Sequence, residues 1–211
     1  MEEDVNREQD ERIGADVGDV EFQMRQVVRV PRDRIGAVIG KKGRTRKKIE
    51  RAADVEIRVD SETGEVEIVG KKETLLENFY NAINVIRAIG RGFDDRTAMR
   101  LFSDDQYLEV IDLRDLVGRS RSALRRQRAR IIGREGSARR KLEALTDTSI
   151  RVKGNTVSII GDEEGIDLAK HAIERLVGDG SPHNVVFQEL EANRRKRRVR
   201  KLLMDLGIEM P

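Results

Sequence analysis

The residues best suited to chemistry in this 211-residue chain are two short glycine loops that carry charge, Gly40-Lys41-Lys42-Gly43 and Gly133-Arg134-Glu135-Gly136. Glycines flanking two residues let the backbone approach a phosphate with no Cβ in the way. A helix following such a loop adds free N–H groups and the positive end of its dipole. Arg44, Arg46, Lys47 and Lys48 follow the first loop, and Arg139, Arg140 and Lys141 follow the second, where they can neutralise a nucleic-acid backbone or simply face solvent. Bond-making chemistry has little to work with. There is no cysteine, so disulfides, thiolate metal sites and a cysteine nucleophile are excluded. The two histidines, His171 and His183, lack the clustered Asp, Glu or His that a metal requires, and His183 after Pro182 suits a turn-organising role. No nucleophile, base and oxyanion arrangement and no phosphate loop ending in Gly-Lys-Ser/Thr is present, so neither catalysis nor a cofactor is expected.

Composition narrows the partner. Lys and Arg number 42 against 39 Asp and Glu, a net charge of only +3, so the distribution of charge matters more than its sum. The first dozen residues are largely acidic, while Arg119 to Lys141 and Arg194 to Lys201 are dense in cations, as expected for local contact with a polyanion. Aromatics are 3% of the chain and tryptophan is absent, which disfavours recognition by base stacking. No apolar run approaches a membrane span and no signal peptide is seen, so a cytoplasmic protein without membrane contact is expected.

The glycine loops belong to a repeat. An offset of 93 residues, from Gly40 to Gly133, lays Val38 to Val59 over Ile131 to Val152. The offset also matches Ile39 with Ile132, Arg46 with Arg139, Lys48 with Lys141, Glu50 with Glu143, Asp54 with Asp147, and Ile57-Arg58-Val59 with Ile150-Arg151-Val152. Chance similarity among arginines would not keep the glycines and the apolar phase together.

Each copy predicts the order β-α-loop-α-β-β-α. In the first, a strand carries Met24, Val28 and Val30, and a short helix opens at Pro31. After the loop come a helix over about Arg44 to Ala53, strands around Val55 to Val59 and Val66 to Ile68, and a long helix with Leu75, Leu76, Phe79, Ile83, Ile86 and Ile89 on its apolar face. The second copy repeats this with a strand in Tyr107 to Leu113, a helix ending near Arg130, a helix from Ser137 to Leu145, a hairpin turned at Gly154-Asn155, and a helix over Gly165 to Val177. Between them, Phe93 to Asp105 predicts a short helix capped by Asp94 or Asp95, with Ala98, Leu101 and Phe102 facing a core. The expected organisation is an acidic tail over 1–21, a first unit over 22–91, a packed connector over 92–106, a second unit over 107–180, and a C-terminal helix with a basic tail over 181–211.

A Gly-x-x-Gly turn between helices in this element order resembles the type I KH domain, which clamps about four nucleotides of single-stranded nucleic acid. The resemblance extends over roughly Val27 to Glu191, to the archaeal members of the ribosome-assembly KH family that includes the eukaryotic partner of the Nob-one endonuclease. Its most specific stretches are Gly92 to Leu113, Arg130 to Val152 and Ser181 to Glu191. It implies an α+β fold of two tandem KH domains, each a three-stranded antiparallel sheet with helices on one face, and no enzymatic activity. It also implies binding to small-subunit ribosomal RNA near its 3′ end. The implied protein partners are the α subunit of archaeal initiation factor two and a Nob-one-like endonuclease. Ala129 and Phe187 depart from residues common in the family, glycine and tyrosine.

Beside each loop an apolar groove is expected, from Ile35, Val38, Ile39, Ile49 and Ile57 in the first unit and Ile131, Ile132, Leu142 and Ile150 in the second, most of them core residues in any reading and as suited to packing as to touching a base. Arg58 and Arg151 are the candidate donors to exposed base edges. The alternatives are a KH-fold scaffold that mainly binds proteins, a regulator of messenger RNA, and a subunit of an RNA-degrading complex. The last normally carries an extra OB-type domain, for which no stretch remains.

Overall fold

The computed structural model describes residues 24–206, so the acidic tail expected over 1–21 lies outside the described residues. The chain forms two α+β units of the same design. In the first, β1 (Arg25–Arg29), β2 (Val55–Val59) and β3 (Glu65–Gly70) make an antiparallel sheet in the order β1-β3-β2, with Val28 opposite Val66 and Ile57 opposite Ile68. Helices α1 (Arg32–Ile39), α2 (Arg44–Ala53) and α3 (Leu76–Gly90) cover one face of it. Strand alternation decides which face: Val55 and Ile57 are buried while Glu56 and Arg58 point to solvent. Pro31 stands at the N-cap of α1, one position before the first helical turn.

The second unit carries β4 (Tyr107–Asp112), β5 (Ser149–Lys153) and β6 (Thr156–Gly161) in the order β4-β6-β5, with α6 (Arg121–Ile132), α7 (Ser137–Thr146) and α8 (Glu163–Val177). Between the units lies α4 (Asp95–Ala98), N-capped by the Asp94 carboxylate, which accepts from the Thr97 N–H at 2.9 Å. Ala98 and Leu101 from this segment are buried in the first core, and Phe102 packs against it. A short helix that the sequence reading missed, α5 (Leu113–Val117), precedes α6 and buries Leu113.

Two expectations change. Leu75 and Leu76 do not join the apolar face of α3: they stand at its N-cap and first position and are exposed. The basic run Arg194 to Lys201 is no separate tail. It continues α9 (His183–Asp205), in which Arg197 pairs with Asp162 and Glu164 and Arg200 pairs with Glu164. Helix α9 is fastened further by Arg175 to Glu189 at 2.7 Å and Lys141 to Glu191 at 3.1 Å.

The units touch through both cores and polar groups. Ile160 of β6 is buried within the first core cluster, with Leu108 against it. Arg91 donates to Thr156 Oγ1 at 2.8 Å, Arg100 to Ser149 Oγ at 3.2 Å, and Lys153 to Asp33 Oδ2 at 2.8 Å. The bonded Lys153 ammonium holds the Asp33 carboxyl below its ordinary range.

Candidate nucleic-acid interface

Both glycine loops adopt one backbone conformation. Gly40 has φ 72° and ψ 172°, Lys42 φ 54° and Gly43 φ 74°; Gly133 has φ 71° and ψ 177°, Glu135 φ 51° and Gly136 φ 77°. The first glycine of each loop is required twice over. Its φ is left-handed, and an added Cβ would lie 2.2 Å from Thr45 Oγ1 at Gly40 or 2.7 Å from Ala138 Cβ at Gly133. Thr45 and Ala138 occupy equivalent positions, so each loop is pressed onto the first turn of the following helix. Lys42 and Glu135 also sit in the left-handed region, which L residues enter at a cost of about 1–2 kcal/mol. Strain stored at the same place in both copies is characteristic of functional turns.

The surroundings of the loops differ. Lys41, Lys42, Arg44, Lys47, Lys48 and Arg51 line a concavity of about 950 Å³ beside the first loop, together with Ala52 and with Met99 of the connector. None of these six cations is in an ion pair among the described residues. Arg51 was not anticipated from sequence. It falls one turn beyond Lys47 and Lys48 on the exposed face of α2, a helical spacing that was there to be read. At the second loop the cations are engaged with the protein. Arg140 donates to the Glu135 carbonyl at 2.8 Å, Arg139 lies 3.7 Å from Glu143, and Lys141 binds Glu191 while lying 4.9 Å over the Phe187 ring. Only Arg134 and Glu135 project freely there, with opposite charges.

The other anticipated residues divide by burial. Ile39 and Ile132 are half-buried at the helix ends beside the loops and remain accessible. Ile57 and Ile150 are not: they are 2% and 0% exposed, because strand alternation turns them into the core, and their side chains cannot meet a base. Ile35, Val38, Ile49, Ile131 and Leu142 are likewise core and form the floor behind the loops. Arg58 is exposed on the sheet face away from the helices, paired with Glu56 at 2.9 Å. Arg151 bonds Glu143 at 3.1 Å and lies 5.3 Å over Phe93, so it serves the joint between units.

Glu50 and Glu143, matched by the repeat but given no role from sequence, have a definite one. Strands β2 and β5 are sheet edges, and their outward amides need partners. Glu50 Oε1 accepts the Ile57 N–H at 3.1 Å, and Glu143 Oε1 accepts the Ile150 N–H at 2.7 Å. Arg46 lies 3.8 Å from Glu50, the counterpart of Arg139 beside Glu143. At the second unit's far end, His183 Nε2 bonds the Arg130 carbonyl at 2.9 Å, while Arg130 donates to the Gly180 and Ser181 carbonyls, which fixes the turn into α9. Among the described residues no group of His, Cys, Asp and Glu could hold a metal, and no helix is long and apolar enough to cross a membrane.

These two units match known proteins across most of their length. Residues 107–195 match the family model described as eukaryotic type KH-domain (KH-domain type I), and residues 25–78 match that of the KH domain. A KH domain-containing protein of Methanocaldococcus jannaschii is 40% identical over 174 residues, 81% of this chain and 74% of that protein. The pre-rRNA-processing protein PNO1 of Debaryomyces hansenii is 28% identical over 148 residues, 68% of this chain and 58% of its own. Among solved structures, the Pyrococcus horikoshii a/eIF2alpha-aDim2p-rRNA complex contains a chain with a TM-score of 0.77 and 44% identity, covering 83% of this chain and 96% of that one. Repeat, loop geometry and these likenesses agree that the chain belongs to the archaeal branch of the PNO1/Dim2 family of tandem KH-domain proteins.

Proposed function

We propose that this protein is an RNA-binding factor of small-subunit ribosome assembly, with its two GxxG loops holding single-stranded ribosomal RNA near the 3′ end. One observation carries the reading: both loops keep the same strained turn, and the first is ringed by six cations that have no protein partner among the described residues. A site of that kind attracts a polyanion and gains affinity by releasing its counterions. The relatives, a pre-rRNA-processing protein and a protein solved in complex with rRNA, suggest the class of RNA. The loop residues proposed to meet the strand are Ile39 to Arg44 and Lys47 in the first unit, and Ile132 to Gly136 in the second. The protein acts by binding rather than by catalysis, in the cytoplasm. Its proposed protein partner is the α subunit of initiation factor two, named in the neighbour's complex. The Nob-one-like endonuclease implied by the family resemblance is a further candidate.

Crosslinking the protein to RNA in cells and sequencing the attached fragments tests this. Enrichment at the 3′ end of small-subunit rRNA is expected. A spread over messenger RNAs would instead assign the protein to message regulation, and affinity capture that returns protein partners without RNA would assign it to scaffolding.

A further inference from the structure

Helix α6 ends at the GREG loop but begins in a different environment. Arg114, Arg119, Arg121, Arg125 and Arg128 line a hollow of about 520 Å³ with Leu124 and Asn155, at the α5–α6 turn and along the first half of α6. Arg114 is paired with Asp112, whose carboxyl that bond and neighbouring charge hold down at about 2. Arg128 donates to the Gly154 carbonyl at 3.1 Å. Arg119, Arg121 and Arg125 are exposed, and no ion pair or side-chain hydrogen bond engages them among the described residues.

This arrangement works against the helix. Arg121 opens α6, whose first turn has no acidic residue, although the positive end of the dipole there favours anions. Arg121 and Arg125 are one turn apart, a like-charge spacing that destabilises an isolated helix. Helix α8, by contrast, opens with Glu163 and Glu164, and Arg197 and Arg200 of α9 are matched to Asp162 and Glu164. Ser120 caps the helix by accepting from the Ala123 N–H, but the three arginines have no partner among the described residues, an arrangement that suits an anion from outside.

We infer that the start of α6 is a second RNA-backbone site, separate from the glycine loops, which takes phosphates of the strand held at GREG without reading its bases. The inference rests on the RNA-binding reading above. RNA is favoured over an acidic protein by continuity. The twelve residues of α6 run from the hollow to the loop, a rise of about 18 Å at 1.5 Å per residue, so one strand can lie along a single rigid element. Guanidinium groups suit phosphate oxygens through paired N–H donors, and Leu124, largely buried, is the hollow's only apolar side chain, with no aromatic to stack a base.

The test uses the full chain carrying Arg119→Ala, Arg121→Ala and Arg125→Ala together, with wild type and Gly136→Asp for comparison and thermal melts to verify folding. The probes are oligouridines of about four nucleotides, the span one GxxG loop clamps, and of about twenty. On the long RNA the triple variant is expected to bind about tenfold or more weakly, with a salt slope smaller by about 2, since each single-strand phosphate contact contributes about 0.7. On the short RNA it should match wild type. If it matches wild type on both while Gly136→Asp loses binding, the second site does not exist and the loop reading stands. If it keeps both RNAs but loses binding to polyglutamate, the hollow belongs to an acidic protein and the inference is overturned. If wild type binds neither RNA, both readings fall.

Discussion

Glycine at position 40 and glycine at position 43 look alike in sequence but carry different constraints. A methyl at Gly40 meets Thr45 Oγ1 at 2.2 Å, whereas nothing lies within 4 Å of one at Gly43, where only the left-handed φ resists substitution. Gly43→Ala should therefore cost about 1–2 kcal/mol, and Gly40→Ala distinctly more, since the turn must open. Thermal melts of the two variants give the comparison. The spacing of glycines announced the turn, but which glycine is sterically locked depends on the packing of Thr45, and no spacing reveals that. Charge at the loops was readable in the same partial way. GKKG and GREG differ visibly, yet the sequence does not show that Arg140 folds back onto the Glu135 carbonyl or that Lys141 is held by Glu191. Lys41→Asp with Lys42→Asp is expected to weaken RNA binding and reduce the salt slope by about 1.4, two contacts at about 0.7 each. Glu135→Lys should strengthen binding and steepen the slope, and titrations over a range of salt concentrations measure both.

Strand alternation explains the clearest misreading. The repeat Ile57-Arg58-Val59 over Ile150-Arg151-Val152 correctly marked β2 and β5, but counting these core isoleucines as base contacts required part of each to stay exposed at the groove, and the strands turn them fully inward. Period-two patterning says which residues share a face; which face meets the helices is settled only by packing. Ile57→Ala and Ile150→Ala are thus expected to destabilise the fold by about 2–5 kcal/mol through the cavity each leaves, with denaturant midpoints as the measurement. RNA affinity of the folded fraction should change little, and a large loss of affinity without loss of stability would return these residues to the binding surface. Glu50 and Glu143 show the converse. Each caps an outward amide on an edge strand, a role invisible until the helix and strand are side by side. Glu143→Ala would leave the Ile150 N–H to solvent and release Arg151, so it should loosen hydrogen-exchange protection along β5 before it alters global stability.

Two KH units joined by a packed connector are expected to present their loops at a fixed separation. Ile160 from the second sheet lies in the first core, and Arg151 spans the joint between Glu143, Phe93 and Asp94, with its Nη2 3.8 Å from the Asp94 carboxylate. The connector's apolar spacing foretold a packed segment, whereas these contacts bring together residues far apart in the chain and left no local pattern. Relaxation NMR should report a single tumbling time for both units, and Arg151→Ala together with Ile160→Ala should separate it into two. Tying the loops into one body would make the proposed joint use of one RNA strand efficient, because holding the first segment raises the local concentration of the next. The most direct measurement is the affinity for an RNA copying the 3′ end of small-subunit rRNA, compared between wild type and a folded variant with aspartate at Lys41, Lys42, Arg134 and Glu135. The account predicts tight, salt-sensitive binding by wild type and a loss of well over tenfold in the variant; equal binding by the two proteins would contradict it.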